Sequence, residues 1–203
     1  QLKVLTTIKK NLIECEEFFI STAFLRKSGV AVLINTLDEL EIKKIPGKVL
    51  VSEYLFFTEP EALKSLLKFT NIELRITRDK NFHGKEYIFR NANNYNTIIG
   101  SSNLTQDALS TNYEINIQFS SLEDSKIQKE IIENFNFIFN ASQKVTTEYI
   151  QEYEEVFNAN KIITSRSSKE VEKEVVEYHP NSMQNNALQN LNNYRAKNIN
   201  KSL

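Results

Sequence analysis

The first half of the chain alternates strand-like with helix-like segments, and this alternation constrains the fold more than any other feature. Residues 17–24 form an apolar run that predicts a buried strand, and the apolar spacing over residues 28–41 predicts an amphipathic helix. Two further strands are predicted at residues 48–56 and 71–77, with a helix at residues 61–69 between them. Because strands that alternate with helices pack as a sheet covered by helices, we expect an α/β fold.

Three more strand-like segments follow in quick succession, at residues 83–89, 95–102 and 111–119. Since no helical pattern separates them, we expect the sheet to be mixed. The remaining helices are predicted from apolar spacing at residues 2–14, 122–139 and 146–159. The predicted fold is therefore a mixed β-sheet flanked by helices on both faces.

The last three predicted strands carry the polar residues that indicate chemistry. His83 and Lys85 are two residues apart on a strand, so their side chains project from the same face. Asn103 ends a Gly-Ser-Ser-Asn sequence after the second of these strands, and Glu114 is expected on the third. We therefore expect the histidine, lysine, asparagine and glutamate to converge at one edge of the sheet.

This set of side chains suits cleavage of a phosphodiester without a metal ion. A neutral imidazole attacks phosphorus and forms a covalent intermediate, which divides one difficult step into two. Lysine and asparagine donors hold the phosphoryl oxygens as negative charge develops, and a carboxylate orients the imidazole. Ser101 and Ser102 either form only the turn or also donate to phosphate. With one cysteine and two histidines, the chain lacks the ligand spacing of a tetrahedral zinc site.

The His-Gly-Lys sequence followed by Gly-Ser-Ser-Asn resembles the HxK…GSxN signature of the phospholipase D superfamily. The acid that this superfamily usually carries five residues after the lysine is replaced here by Arg90. The downstream Glu114 is similar to the variant of the restriction-endonuclease branch, in which an asparagine and a later glutamate complete the site. The resemblance covers roughly residues 1–160, where ISTAFLRKSGVAVL and IIGSSNLTQDAL resemble the nuclease domain at the N-terminus of bacterial superfamily 2 helicases.

The resemblance implies a metal-independent endonuclease that acts on DNA through a covalent phosphohistidine and needs no cofactor. It also implies that the chain is the nuclease module of a helicase-type restriction or defence protein. Since this chemistry uses two His-x-Lys motifs per site and the chain carries one, we expect a homodimer. The implied catalytic residues are His83, Lys85, Asn103 and Glu114, with Ser101 and Ser102 as substrate-binding residues.

The composition changes after Asn160. Residues 161–178 are charged and contain serines, and we interpret them as a linker with some helical tendency. Residues 179–203 resemble the start of a superfamily 2 helicase core, in which Gln184 would recognise adenine. The sequence contains no GxxxxGK[ST] motif, so we expect a larger protein in which a missing C-terminal helicase motor binds ATP and magnesium.

The composition also indicates the compartment. Cys15 is the one cysteine, which excludes an internal disulfide and fits a reducing compartment, so we expect a cytoplasmic protein. No apolar run approaches the length of a membrane span, so we expect no membrane partner. The formal net charge of -1 does not indicate nucleic acid, although a basic site can be local. Three basic residues are candidates either for contacts with backbone phosphates or for ordinary solvated surface: Arg26, Lys27 and Arg78.

Two alternative functions stay open. The departure at Arg90 is compatible with an idle site that grips the nucleic-acid backbone through Lys85 and Asn103 and positions the helicase. Lipid phosphodiesterase activity is the other alternative, and the lack of a strongly basic amphipathic helix counts against it. Three aromatic residues are interpreted as core or interface residues rather than as stacking platforms for bases: Tyr54, Phe56 and Phe57.

Overall fold

A computed structural model describes residues 3–171, with side chains described for residues 3–160. Two short turns, Tyr54–Phe56 in a 3-10 conformation and Asp107–Thr111 in a π-helical one, interrupt the regular elements. In chain order these elements are α1 (Val4–Glu14), β1 (Glu17–Thr22), α2 (Lys27–Ala31), α3 (Ile34–Ile42), β2 (Gly47–Ser52), α4 (Pro60–Leu66), β3 (Ile72–Thr77), β4 (Lys85–Asn91), β5 (Asn94–Gly100), β6 (Asn116–Leu122), α5 (Lys126–Ala141), β7 (Gln143–Lys144) and α6 (Thr147–Val171).

The strands form one sheet in the order β6-β5-β4-β1-β2-β3-β7. Strands β1, β2 and β3 run parallel to one another, and helices connect them. Strand β4 is antiparallel to β1, and β4, β5 and β6 pair as antiparallel neighbours. This arrangement follows from the connections, since parallel strands need a crossover whereas antiparallel strands join through short turns. The prediction of an α/β fold with a mixed sheet is confirmed.

Helices cover both faces of the sheet because the strand residues alternate between two cores. On β1, Phe18 and Ile20 belong to the larger core, which also contains residues of α1, α2, α3, α4 and α6. Phe19 points the other way and packs in a smaller core with Phe135 and Phe139 of α5. Phe135 and Phe139 lie four residues apart, on one side of α5. The predicted placement of helices on both faces is therefore confirmed.

The helix expected over residues 28–41 is divided into α2 and α3, so that prediction is wrong in part. Helix α2 ends where the Val32 N–H donates back to the Ser28 carbonyl, at 3.3 Å. The short α2 places Gly29 against the backbone of Leu104, whereas α3 places Leu37 in the larger core. The contact with Leu104 and the contact with the larger core are therefore made by two separate helices.

The strand expected over residues 48–56 is also shorter than its apolar sequence predicts. Strand β2 ends at Ser52, whose hydroxyl accepts the Tyr54 N–H at 2.9 Å. Leu55 and Phe56 then adopt φ angles of 49° and 56°, which are incompatible with an extended strand. The chain turns here instead of continuing the sheet.

The sheet and the helices around it belong to one compact unit that ends at Asn160. Helix α6 continues beyond the predicted end at residue 159, to Val171. The expected helicase-like segment at residues 179–203, with Gln184, lies outside the described residues and stays a prediction, as does the linker over residues 161–178. Within residues 3–171, no helix combines the length and the apolar character needed to cross a bilayer.

Candidate active site

One edge of the sheet gathers the predicted site. Strands β1, β2 and β3 end at this edge, and β4 begins there, because Thr22 at the end of β1 pairs with Lys85 at the start of β4. Gly100, the last residue of β5, pairs at the same edge with Asn116, the first residue of β6. Ligands of open α/β sheets bind outside the carboxyl ends of the strands. The predicted catalytic and substrate-binding residues lie at or next to these strand ends. They are His83, Lys85, Ser101, Ser102, Asn103 and Glu114.

His83 and Lys85 are in direct contact. The Lys85 ammonium lies 2.8 Å from Nδ1 of His83 and also donates to the His83 carbonyl oxygen at 2.8 Å. The Lys85 side chain is buried, whereas His83 is exposed, so the ammonium contacts the imidazole from the protein side. Burial lowers the pKa of the Lys85 ammonium, and the negative charge of Glu114 opposes that shift.

This contact constrains the proton position on the imidazole while Lys85 is protonated. A protonated ammonium only donates hydrogen bonds, so Nδ1 of His83 accepts and a neutral ring carries its proton on Nε2. An imidazole attacks phosphorus through a ring nitrogen that carries no proton. In that arrangement Nε2 is not nucleophilic, and attack through Nε2 requires Lys85 to take another acceptor.

Asn103 is oriented by the end of β1. Its Oδ1 accepts the Phe24 N–H at 3.1 Å and lies 3.3 Å from the Thr22 hydroxyl, which itself accepts the Leu104 N–H at 3.1 Å. Within the described residues, the Asn103 amide nitrogen has no hydrogen-bond partner. The side chain thus presents two N–H donors at the strand edge, as binding of phosphoryl oxygens requires.

Glu114 lies two residues before β6, so the prediction that it lies on a strand is wrong. Pairing ends at Asn116 because Ser101 folds back onto Ile115: its N–H donates to the Ile115 carbonyl, and its hydroxyl accepts the Ile115 N–H, both at 3.0 Å. The Glu114 carboxylate accepts the Ser101 hydroxyl proton. It forms no hydrogen bond with His83 in the part of the chain that the structure describes, and its charge acts on Lys85 instead.

Ser102 lies beneath the site. Its side chain is fully buried, and its hydroxyl accepts a hydrogen bond from the Asn116 amide at 2.9 Å. Its carbonyl accepts the Tyr87 hydroxyl, also at 2.9 Å. These contacts fit the turn-forming role that was one of the two expected for this serine, whereas the exposed Ser101 faces the site edge.

Arg90, which replaces the usual acid of the superfamily motif, lies away from this edge. It is five residues along β4 from Lys85, a distance of roughly 16 Å on an extended strand, and it points to the opposite face. Its guanidinium pairs with Glu17 at 3.0 Å and with Glu16 at 3.4 Å. Arg90 therefore ties β4 to the start of β1.

The sequence interpretation missed a group of aromatic side chains beside His83. The ring centroids of Phe24 and Tyr54 lie 5.6 Å and 6.0 Å from that of His83, nearly perpendicular to it. Phe24 also contacts Phe57, at 4.8 Å between centroids, and its ring lies 5.8 Å from the Lys85 ammonium. We call Phe24, Tyr54 and Phe57 the aromatic wall. The sequence did contain one indication of this group, because each of the three aromatic residues follows the carboxyl end of a parallel strand.

No group of three histidine, cysteine, aspartate or glutamate side chains is close enough to hold a metal ion among the described residues. Hydrogen-bond donors for a phosphate group are present, in contrast: the Lys85 ammonium and the Asn103 amide. What the arrangement provides is an imidazole with an ammonium at one nitrogen, a neighbouring amide donor and a carboxylate within electrostatic reach of the ammonium.

The sequence matches one family of known proteins. A family model described as "Cardiolipin synthase, PLD-like domain" matches residues 16–139, which is more than half of the chain. The sequence has no significant match among curated proteins.

Solved structures share the fold. Nuc of Salmonella typhimurium, a phospholipase D family member, is 17% identical, with a TM-score of 0.55 over 70% of this chain and 90% of that one. NucT of Helicobacter pylori is 14% identical, with a TM-score of 0.53 over 70% and 91% of the two chains. Phosphatidylserine synthase of Haemophilus influenzae is 15% identical, with a TM-score of 0.54 over 77% and 43%. At these identities the likeness shows the fold alone.

Proposed function

The chain belongs to the phospholipase D-like domain family, and from this premise we propose that it hydrolyses DNA phosphodiesters without a metal ion, through a covalent intermediate on His83. The observation that carries the proposal is the contact of 2.8 Å between the Lys85 ammonium and the exposed His83 imidazole at the carboxyl edge of the sheet. A paired imidazole and ammonium next to an amide donor match the needs of an anionic phosphoryl group.

In the proposed first step, a phosphate oxygen replaces His83 as the acceptor of the Lys85 ammonium. Nδ1 of His83 is then free to carry the ring proton. Glu114, which contacts Ser101 and not His83 in the structure, is proposed to stabilise that tautomer through the charge of its carboxylate. Nε2 attacks phosphorus, the bond to the leaving oxygen breaks, and an acid protonates that oxygen. Lys85 and Asn103 hold the two remaining phosphoryl oxygens.

In the proposed second step, water attacks the phosphohistidine. The group that protonated the leaving oxygen now takes a proton from the water, the P–N bond breaks, and His83 regains its lone pair. The products are a phosphate monoester and a free hydroxyl. No change of oxidation state occurs in either step.

The acid and base of these steps is proposed to be His83 of a second chain. The chain carries one His-x-Lys sequence, and a two-fold dimer supplies the second by symmetry. A surface for this pairing lies beside Glu114, where three apolar side chains are exposed on the edge strand β6 and the segment before it. We call Tyr113, Ile115 and Ile117 the β6 patch. Exposed apolar groups of this kind mark interaction surfaces.

We further propose that the protein is the nuclease module of a helicase-type restriction or defence protein. The support is the sequence resemblance of residues 1–160 to nuclease domains that precede superfamily 2 helicases. ATP and magnesium then belong to the helicase motor, with Gln184 as the adenine-recognising residue.

Cleavage of plasmid and single-stranded DNA in excess EDTA tests the proposed chemistry. We expect the wild-type protein to cut and His83→Ala to be inactive, because the variant lacks the nucleophile. His179→Ala, which removes the other histidine of the chain, is the matched control and is expected to cut normally.

The other outcomes are equally informative. Cutting that EDTA abolishes would overturn the metal-independent mechanism. Failure of both proteins to cut, with DNA binding retained, would favour the alternative of an idle module that grips the backbone, for which the replacement of the motif acid by Arg90 is the specific observation. Binding would then depend on Lys85 and Asn103 and not on His83.

A further inference from the structure

We propose that the aromatic wall binds an unpaired nucleobase next to the scissile phosphate, so that the site selects single-stranded over duplex DNA. The inference rests on the proposed function, because it takes His83 as the residue that contacts the phosphate. It adds a binding surface and a substrate class that the catalytic residues do not define.

The first support is distance. Phe24 and Tyr54 lie 5.6 Å and 6.0 Å from the His83 ring, and Phe57 extends the same group through Phe24. A base is joined to its phosphate through a single sugar. A phosphate at His83 therefore brings the adjoining base to the aromatic wall.

The second support is exposure. Phe57 is 40% exposed and its neighbour Leu55 is 63% exposed, although both are large apolar residues. Phe56 between them turns inward and stacks on Tyr153, with 6.0 Å between the ring centroids. The interpretation as a core residue thus fits Phe56, whereas Phe57 offers free ring surface at the site.

The third support is the backbone of the turn. Positive φ angles at two consecutive bulky residues, Leu55 and Phe56, are rare and persist only where the surroundings hold them. Here the Thr58 hydroxyl donates to the Ser52 carbonyl at 2.7 Å, and the Tyr153 hydroxyl donates to the Thr58 carbonyl at 2.9 Å. The turn is therefore fixed in the form that places Tyr54 against His83 and Phe57 against Phe24.

The fourth support is charge. Arg26 and Lys27 are exposed and follow Phe24 in the chain after one buried residue, and the Lys85 ammonium lies 5.8 Å from the Phe24 ring. Basic residues that follow the backbone and aromatic rings that stack on bases together characterise sites for single-stranded nucleic acid. Bases inside a duplex are already stacked and paired, so their faces are not available to such rings.

The test measures binding separately from cleavage, in the His83→Ala protein. Fluorescence anisotropy gives Kd for three labelled probes: a short oligothymidylate, the same backbone with abasic residues, and a duplex of equal length. We expect the oligothymidylate to bind most tightly. Adding Phe57→Ala is expected to weaken its binding about 5- to 150-fold, the equivalent of one stacked base, and to leave the abasic probe unaffected.

Matched variants separate stacking from folding. Phe57→Trp keeps an aromatic face and is expected to retain affinity, and Tyr54→Ala provides a second removal of the wall. Phe137→Ala removes a 77%-exposed phenylalanine of α5 that makes no ring contact with the aromatic wall in the described part of the chain, and it is expected to change no Kd. Thermal unfolding followed by circular dichroism confirms that each variant is folded.

Each contrary result has a definite meaning. Equal affinity for the three probes, unchanged by Phe57→Ala, would overturn this inference and leave the proposed function in place. Absence of binding to every probe would overturn both. Flotation with phosphatidylglycerol vesicles that is lost in Phe57→Ala and Leu55→Ala would assign the wall to a lipid surface and overturn the inference as well.

Discussion

At the scale of single residues, the contact between Lys85 and His83 suggests a resting form of the proposed site. The ammonium contacts the nitrogen that must carry a proton when Nε2 attacks, so we expect the proposed nucleophile to be blocked while no phosphate is present. An incoming phosphate oxygen is a stronger acceptor for the ammonium because it is charged. We therefore expect substrate binding and activation of the nucleophile to be coupled through Lys85.

Replacing Lys85 tests this coupling. Lys85→Met keeps an unbranched apolar stem beside Phe24 and removes the charge, so the fold is expected to survive. Activity in EDTA is expected to fall about 10²- to 10³-fold, mainly in kcat, because a donor to the developing charge is lost. Steady-state cleavage of a labelled oligonucleotide measures the change, and Lys126→Met, at a lysine whose side chain is 91% exposed, is the matched control.

The pH profile gives this prediction a second readout. Burial lowers the pKa of Lys85, so its ammonium loses the proton at a lower pH than an ordinary lysine does. As pH rises through that lowered pKa the phosphate loses its charged donor, so wild-type kcat/KM is expected to fall on the basic side before ordinary lysines titrate. A Lys85→Met protein with wild-type activity and an unchanged basic limb would refute the proposed role.

At the scale of elements, the short helix α2 positions Asn103 by pressing on the loop after β5. The Arg26 N–H donates to the Leu104 carbonyl at 3.1 Å, and a Cβ added to Gly29 would lie 2.0 Å from the same oxygen. Only a residue without a side chain permits this approach of the helix to the loop. The separate helix α2 therefore packs directly against the residue that follows Asn103.

A methyl group at Gly29 is expected to harm both stability and activity. Gly29→Ala must displace the Leu104 backbone, and overpacking of this kind costs about 1–3 kcal/mol of unfolding free energy. Because Asn103 precedes the displaced residue, kcat is expected to fall as well. Urea unfolding and oligonucleotide cleavage measure the two effects, with Ala31→Ser on the exposed side of α2 as the control. Unchanged stability and activity would show that the Leu104 backbone can shift without cost, and would contradict this prediction.

Much of this architecture was predictable, because periodicity reports which face of an element is buried. The alternation of strands and helices predicted the α/β fold, and the polar strand ends predicted that His83 and Asn103 lie at the same edge of the sheet. The position of Glu114 was not predictable, since the bonds that Ser101 makes with Ile115 end the ladder and have no local sequence signal. The aromatic wall was missed because its residues continue an apolar run that resembles a strand.

At the scale of the whole molecule, the proposed mechanism uses two histidines per site, and since the chain carries one His-x-Lys sequence it requires a second copy of the chain. The β6 patch lies on an edge strand immediately beside Glu114, where a two-fold partner would bring its own His83 toward the same phosphate. An edge strand with exposed apolar residues is otherwise a liability that proteins protect. In the proposed dimer, a second chain would cover this strand and would supply the second histidine of the site.

A charge in the β6 patch is expected to abolish the dimer and the activity together. Ile117 is 67% exposed, so Ile117→Lys leaves the core of one chain intact while it places an ammonium in the proposed interface. Ile42→Lys, at an 81%-exposed position at the end of α3, is the matched control. Sedimentation velocity is expected to show a monomer for the first variant and a dimer for the second, with DNA cleavage in EDTA retained by the second alone.

Mixed dimers then show whether each site uses both histidines. When equal amounts of wild-type and His83→Ala chains are exchanged at random, about a quarter of the dimers carry two histidines. Activity is expected to fall to about that fraction if both are needed in one site, and to about half if each chain acts alone. A wild-type protein that sediments as a monomer and cuts DNA at full rate would refute the shared site, because one imidazole would then perform both proton transfer and attack.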